Sequence, residues 1–335
     1  MALVSSSNSD TPSTSYISTG HLPSPETVTA LVEAAHRRFR DEAQGRVSEV
    51  YPALARVPAD LFGLCVAGVN GAVHAVGDCD VAFTLMSVSK PFVLALACDV
   101  LGPDVVRERV GVNATGLPFN ALAAIERSAD GRTNPMVNPG AIATTSLAPG
   151  STMDERWAFL LDGLSRFAGR PLAVNEEVLG CALTSNARNR AIVQLLESYG
   201  LIEGDPVDAL ELYTRQCSLD VTVRDLAVMG ATLADGGVNP LTKRRVIDPE
   251  SGKRALAVMA TAGLYETSGE WLYDVGLPGK SGIGGGIVMV SPGKGGLGVF
   301  APRLDHSGNS VKGQLAARFL SQRLGLSLFA SNAEP

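Results

Sequence analysis

The stretch FTLMSVSKPFVLALA, residues 83–97, decides how the chain is organised. Ser87 and Lys90 stand three positions apart, immediately before an apolar run that suits a buried helix. At the start of a helix this spacing puts both side chains on one face, with the hydroxyl near free backbone N–H groups. The stretch therefore predicts either a nucleophilic serine with a lysine base, or a serine cap and a solvated lysine beginning a buried helix.

Strand signals lie on both sides of this stretch, toward the two ends of the chain. DLFGLCVAGVNGAVHAVGD (60–78) contains two short apolar runs around VNG, which is typical of a hairpin. GIGGGIVMVSPGKGGLGVFAP (282–302) predicts two more strands around a PGKGG turn. Amphipathic helices flank these strands at SPETVTALVEAAHRRFRDEA (24–43) and SVKGQLAARFLSQRL (310–324).

Between the strand regions the pattern is helical, and most of the apolar segments end in glycine, as helix C-caps often do. We therefore predict an α/β (α+β) fold in which both chain ends build one mixed antiparallel sheet flanked by helices. The sheet subdomain covers about residues 25–85 and 265–325, an all-helical subdomain covers about 86–264, and residues 1–24 form a disordered tail. A cleft between the subdomains would contain Ser87.

Composition excludes several classes of protein. The chain has 335 residues, a formal charge of −6 and no long basic run, so we expect neither nucleic acid nor a membrane as partner. Five scattered cysteines without a C-x-x-C pair predict reduced, buried thiols in a cytoplasmic protein. The four histidines lack the helical spacing of a metal site, so we expect no metal and no cofactor.

A second motif gives Ser87 and Lys90 a chemical context. GKSGIGGGI (279–287) contains K-[ST]-G on a predicted edge strand, and its glycines would let a substrate approach the backbone closely. S-x-x-K early and K-[ST]-G late is the order found in serine β-lactamases and penicillin-binding proteins, which favours acyl transfer on a β-lactamase-like fold. GKGGLG (293–298) matches a dinucleotide-binding pattern in letters only, because it joins two strands and opens no helix.

Six further segments occur in the order seen in one enzyme family: NPMVNPGAIATTSL (134–147), ARNRAI (187–192), LYTRQCSLDVTVRDLAVMGATLADGG (212–237), GLYETSGEW (263–271), VGLPGKSGIGGGI (275–287) and GNSVKG (308–313). Together they resemble the serine-dependent glutaminases from about Pro25 to Leu324. The resemblance implies a cofactor-free amidohydrolase that converts L-glutamine to L-glutamate and ammonia, with a homodimer or homotetramer as the assembly.

The resemblance also implies roles for individual residues. The catalytic residues that it implies are Ser87, Lys90, Tyr51 and Tyr265. The substrate-binding residues that it implies are Ser87, Asn138, Asn189, Tyr213, Tyr265 and Ile283, the last at a position where the family has Val. These types suit the chemistry, because amides bind a carboxylate and phenols relay protons. Taken singly, Asn138 is equally typical of a turn, and the two substrate-binding tyrosines are typical of half-buried helix surfaces.

One position departs from the family in a way that affects the substrate. The family has a Glu that contacts the substrate α-ammonium seven residues before the equivalent of Asn189, and here that position is Ala182. Without the carboxylate, a charge-assisted contact worth about 1.5–3 kcal/mol is lost. Two alternatives therefore stay open: an amidase or esterase that prefers substrates without the α-ammonium, and a catalytically silent binding protein.

Overall fold

The computed structural model describes residues 20–331. Most of the predicted tail, residues 1–19, lies outside the described residues, and the first helix begins at Pro25 as predicted. The strands are β1 (Gly63–Gly68), β2 (Val73–Gly77), β3 (Phe83–Thr84), β4 (Ala173–Val174), β5 (Leu219–Val221), β6 (Gly279–Ser281), β7 (Gly286–Ser291) and β8 (Gly295–Phe300).

Helices make up most of the rest of the described chain. The α-helices are α1 (Pro25–Phe39), α2 (Pro52–Ala55), α3 (Lys90–Leu101), α4 (Pro103–Val110), α5 (Ala123–Glu126), α6 (Asn138–Ser146), α7 (Met153–Ala168), α8 (Glu176–Thr184), α9 (Ala187–Ser198), α10 (Pro206–Cys217), α11 (Val223–Ala234), α12 (Pro249–Ala262), α13 (Ser268–Val275) and α14 (Val311–Arg323). Two short 3-10 helices cover Met86–Ser89 and Tyr265–Thr267.

The main sheet is built from both ends of the chain, as predicted. Its five strands are antiparallel in the order β2-β1-β8-β7-β6. The two predicted hairpins are the β1–β2 and β7–β8 pairs, and the K-[ST]-G strand β6 lies at the sheet edge. The predicted α/β fold class is confirmed.

Helices cover both faces of this sheet. On one face α11 packs on β8, β1 and β7, and all its residues except Arg224 are buried. On the other face α1 and α14 pack on each other and on the sheet, and their buried side chains form an apolar cluster with those of the strands. Ser24 caps α1, since its Oγ accepts a hydrogen bond from the backbone N–H of Thr27.

The region between the strand sets is less uniform than the pattern predicted. It contains β4 and β5, which join β3 in a second, three-stranded sheet in the order β3-β5-β4. Strands of two or three residues are too short to produce an alternating pattern, so they left no signal in the sequence. The division into a sheet subdomain and a helical subdomain stays a prediction.

Candidate active site

A pocket of about 130 Å³ opens beside the 83–97 stretch, among the helices α6, α8, α9 and α10 and the loop after β6. It is lined by Val50, Tyr51, Met86, Ser87, Phe119, Asn120, Asn138, Ala182, Ser185, Asn186, Arg188, Asn189, Tyr213, Thr214, Cys217, Ser218 and Ile283. Six of the eight predicted site residues are in this lining, and the other two, Lys90 and Tyr265, are buried directly behind it.

Ser87 lies in the 3-10 helix that leads into α3. No serine side chain caps either helix, so the helix-cap reading of this stretch is wrong. The preceding residue, Met86, has φ 47°, a left-handed backbone that costs a non-glycine residue about 1–3 kcal/mol. Strain of this kind is concentrated at functional sites, and here it belongs to the turn that presents Ser87 to the pocket.

Lys90 is the first residue of α3 and is only 1% exposed. Its Nζ donates to Asn138 Oδ1 at 2.7 Å and to the carbonyl of Met136 at 3.4 Å. Burial lowers the pKa of Lys90 to about 7, because a desolvated ammonium without a carboxylate partner is disfavoured. The side chain is therefore neutral in a substantial fraction of molecules near pH 7, as a general base must be.

Asn138 connects three of the predicted site residues. Its Oδ1 accepts from Lys90 Nζ and also from the Tyr213 hydroxyl at 3.0 Å, while its Nδ2 donates to Asn189 Oδ1 at 2.9 Å. These partners come from α3, α10 and α9, so one amide holds three helices in register at the pocket. Burial raises the pKa of Tyr213 well above its usual value, which keeps the phenol protonated.

Tyr265 approaches Ser87 from the short turn before α13. Its backbone is also left-handed, with φ 58°, and its ring packs against Phe119 with centroids 4.7 Å apart. The phenol donates to the carbonyl of Ser281 at 3.2 Å and is a hydrogen-bond neighbour of the Ser87 side chain. Burial raises the pKa of Tyr265 to about 12, so the phenol keeps its proton at neutral pH.

Tyr51 and Ile283 complete the predicted set. Both pack with Met86 in a small apolar cluster at the mouth of the pocket. Burial raises the pKa of Tyr51 to about 12, so this phenol also remains neutral.

The sequence analysis missed several residues of this site. Arg188 lines the pocket and donates from Nε to the carbonyl of Asn120, a neighbour in the lining. Cys217 also lines the pocket and is half-buried, contrary to the expectation that every thiol is fully buried. Asn120 and Arg188 are polar residues in the segments PFN (118–120) and ARNRAI (187–192), but the sequence does not distinguish a polar residue in a pocket from one on the surface.

The charge of the pocket is one-sided. Among the described lining residues there is no Asp or Glu, and Arg188 is the one charged side chain. Ala182, at the position where the family has Glu, is 2% exposed and contributes only a methyl group. Its acidic neighbour Glu177 pairs with Arg56 on the outside of the protein and does not replace the missing carboxylate.

The glycines after Lys280 have a packing role that the sequence analysis did not predict. A Cβ at Gly282 would lie 3.1 Å from Val88 Cγ2 and 3.3 Å from Met86 Cβ, and a Cβ at Gly284 would lie 3.0 Å from the carbonyl of Thr84. Gly286 would bring a Cβ to 2.8 Å from the Phe83 ring. The glycines therefore let this loop pack on the segment that carries Ser87, and the close contact is with protein atoms.

Two general findings limit other classes of site. Within residues 20–331 no group of three or more His, Cys, Asp or Glu side chains is placed to hold a metal ion. In the same part of the chain, none of the helices has the length and apolar character needed to cross a membrane.

Comparison with known sequences decides the family. A sequence model described as Glutaminase matches residues 45–329. The chain therefore belongs to the glutaminase family. It is 66% identical over 316 residues to Glutaminase 2 of Yersinia pestis, covering 94% of this chain and 93% of that protein. It is 44% identical over 307 residues to a glutaminase of Colwellia psychrerythraea, covering 92% and 99% of the two chains.

Solved glutaminase structures share the fold. A structure described as the probable glutaminase ybaS superposes with a TM-score of 0.91 at 42% identity, covering 92% of this chain and all of that one. A Bacillus glutaminase superposes with a TM-score of 0.81 at 31% identity, covering 91% and 99%. The resemblance to glutaminases with a β-lactamase-like fold, stated from the sequence, is confirmed.

Proposed function

We propose that this glutaminase-family protein hydrolyses L-glutamine to L-glutamate and ammonia through an acyl-enzyme on Ser87. The observation that carries the proposal is Lys90, a buried amine without a carboxylate partner, whose Nζ donates to Asn138, a residue that lines the same pocket as Ser87. The named activity of the relatives supports it, as does a 36% identical solved structure, Mglu, described as being in its glutamate form, which superposes with a TM-score of 0.83.

In the first half of the reaction, the neutral amine of Lys90 takes the proton of Ser87 and the oxygen attacks the side-chain carboxamide carbon. Backbone N–H groups at the start of the Met86–Ser89 helix stabilise the oxyanion. The Tyr265 phenol, protonated and next to Ser87, gives a proton to the departing ammonia. The acyl group is then bound to Ser87 as an ester.

In the second half, water attacks this ester and glutamate leaves. The phenolate formed on Tyr265 takes a proton from the attacking water, and the Lys90 ammonium returns its proton to the departing Ser87 oxygen, so that the site recovers its starting protonation. Asn189, Arg188 and Asn120 line the same pocket as Ser87, and we assign them to the α-carboxylate of the substrate.

Glutamate release by the purified protein and by Ser87→Ala tests this function. We expect the substitution to remove turnover and to prevent labelling by an electrophilic glutamine analogue. Equal activity in both proteins would exclude Ser87 as the nucleophile, and an inactive wild-type protein that glutamine still stabilises thermally would favour the silent binding protein.

A second candidate substrate class is favoured by the lining without carboxylates. An α-ammonium placed near Ala182 would be desolvated without an anionic partner, whereas an amide that lacks the ammonium carries no such cost. Comparing kcat/KM for glutamine, Nα-acetylglutamine and glutaramate separates the two classes. A clear preference for glutamine would exclude the second.

We also propose a cytoplasmic homodimer or homotetramer. The family resemblance supports the assembly, and the five unpaired cysteines support a reducing compartment. Light scattering on the purified protein measures the assembly, and a monomer at working concentration would refute it.

A further inference from the structure

A second lysine is buried behind the pocket, and the reaction described above does not use it. Lys280, in the edge strand β6, is 0% exposed. Its Nζ donates to the carbonyl of Ser281 at 2.7 Å and lies over the ring of Tyr265, 4.3 Å from the centroid. Among the ion pairs of the described residues, none includes Lys280.

Such a side chain weakens the fold. Burial lowers the pKa of Lys280 well below its usual value, and the nearby Lys90 lowers it further. An amine taken out of water with one carbonyl as its hydrogen-bond partner costs stability, and an apolar chain of the same length would avoid that cost. The contacts of Lys280 therefore point to function rather than to stability.

Those contacts are both shared with Tyr265. The Tyr265 hydroxyl and Lys280 Nζ donate to the same acceptor, the carbonyl of Ser281. The N–H groups of Lys280 also face the electron-rich ring of the tyrosine, an attraction that holds for the ammonium and for the neutral amine. Lys280 thus fixes the ring while the carbonyl fixes the hydroxyl.

The shared carbonyl is itself tied to the turn that carries Tyr265. The Ser281 hydroxyl donates to Asn309 Oδ1 at 2.5 Å, and Asn309 Nδ2 donates to Thr267 Oγ1 at 3.0 Å. Strand β6 and the strained Tyr265 turn are therefore joined on two sides, through Lys280 and through Asn309.

We propose that Lys280 is a positioning residue that holds the Tyr265 phenol at the hydrogen-bonding position beside Ser87. The inference rests on the proposed function, because the phenol has a task only if a leaving group must be protonated there. A displaced phenol would slow turnover while leaving Asn189, Arg188 and Asn120, assigned above to the substrate carboxylate, in place.

The chain offers a matched control for this proposal. Lys312 is 2% exposed, donates from Nζ to the carbonyl of Arg40 at 2.7 Å and lies 5.4 Å from the Phe62 ring centroid, on α14 away from the pocket. Lys280→Met and Lys312→Met each remove an ammonium group that donates to a backbone carbonyl and faces an aromatic ring, although Lys312 also has Asp60, Asp41 and Glu42 nearby. Only the first removes a neighbour of Tyr265.

We expect Lys280→Met to lower kcat for glutamine about 100-fold while KM changes less than about threefold. Its melting temperature should be unchanged or higher, and Lys312→Met should keep the wild-type kcat. In a double-mutant cycle with Tyr265→Phe, the second substitution should add less than about threefold, because Lys280 acts through the phenol.

The outcomes separate the inference from the function on which it rests. A wild-type protein without amidase activity refutes the proposed function before any variant is compared. An active wild type with a wild-type kcat in Lys280→Met, or multiplicative effects in the cycle, overturns the role of Lys280. If Lys280→Met does not fold, the cycle is run with Lys280→Gln, and the same two outcomes decide.

Discussion

The kcat/KM for glutamine should decrease as the pH falls, with a midpoint set by the pKa of Lys90. The side chain is 1% exposed, its Nζ is bonded to the neutral amide of Asn138, and burial lowers its pKa to about 7. The amine must be neutral to take the Ser87 proton, so kcat/KM should follow the deprotonated fraction of Lys90. That fraction rises from about one tenth at pH 6 to about nine tenths at pH 8, and the rate should rise about tenfold.

Lys280 is the other buried amine near the pocket, and burial also lowers its pKa well below the usual value. The phenols of Tyr51 and Tyr265 have pKa values raised to about 12, and burial raises the pKa of Cys217. Within residues 20–331 none of the histidines lines the pocket. The acid limb is therefore assigned to Lys90 by measuring it in Lys280→Met as well, where it should stay near pH 7.

The assay is glutamate release across the pH range, with kcat/KM extracted at each point. Lys90→Arg is the control, since guanidinium keeps the charge but cannot be deprotonated, and it should be inactive at every pH. A wild-type rate that stays flat between pH 6 and pH 8, or an active Lys90→Arg, would refute Lys90 as the base.

Three further substitutions test other parts of the site. Asn138→Asp puts a carboxylate 2.7 Å from Lys90 Nζ, which should raise the lysine pKa and move the acid limb upward by about 1–3 pH units; an unmoved limb in the same pH series would contradict this. Ala182→Glu should lower KM for glutamine about tenfold without improving glutaramate, and Ala182→Gln, of the same shape without the charge, should improve neither substrate. If Ala182→Glu and Ala182→Gln have the same KM for glutamine, the missing charge is not what limits glutamine binding. Gly286→Ala should lower the free energy of unfolding in urea by about 1–3 kcal/mol, because the new Cβ would lie 2.8 Å from the Phe83 ring, which is stacked on Phe300. Gly180 has open space around it, so Gly180→Ala should not lower the free energy of unfolding. Equal effects of the two substitutions would contradict the packing argument.

Much of the fold could be predicted because its signals are local. Hairpins with short glycine turns and helices with Ser, Pro and Glu starts identify themselves over five to fifteen residues, and β1, β2, β7, β8 and α1 were found in this way. The order of S-x-x-K and K-[ST]-G then placed Ser87 where strands give way to helices.

The geometry of the site could not be predicted because its contacts are long-range. Asn138 lies 48, 51 and 75 positions from its three partners, and no spacing rule connects them. The left-handed backbone at Met86 is also invisible in the sequence, since methionine carries no preference for it. The sequence identifies Lys280 as the lysine of the K-[ST]-G motif, but its contact with Tyr265 exists only in the folded chain.

The glycine-rich loop 282–286 packs on residues 83–88, and this contact restricts which segments can be exchanged between this enzyme and its relatives. Phe83, Met86 and Val88 supply the surface that Gly282 and Gly286 meet without side chains between them. A chimera that imports the serine segment alone would bring together two surfaces shaped in different parents, about 200 positions apart in the chain. Segments 83–90 and 279–287 therefore form one exchangeable unit. A chimera should take both segments from the same parent.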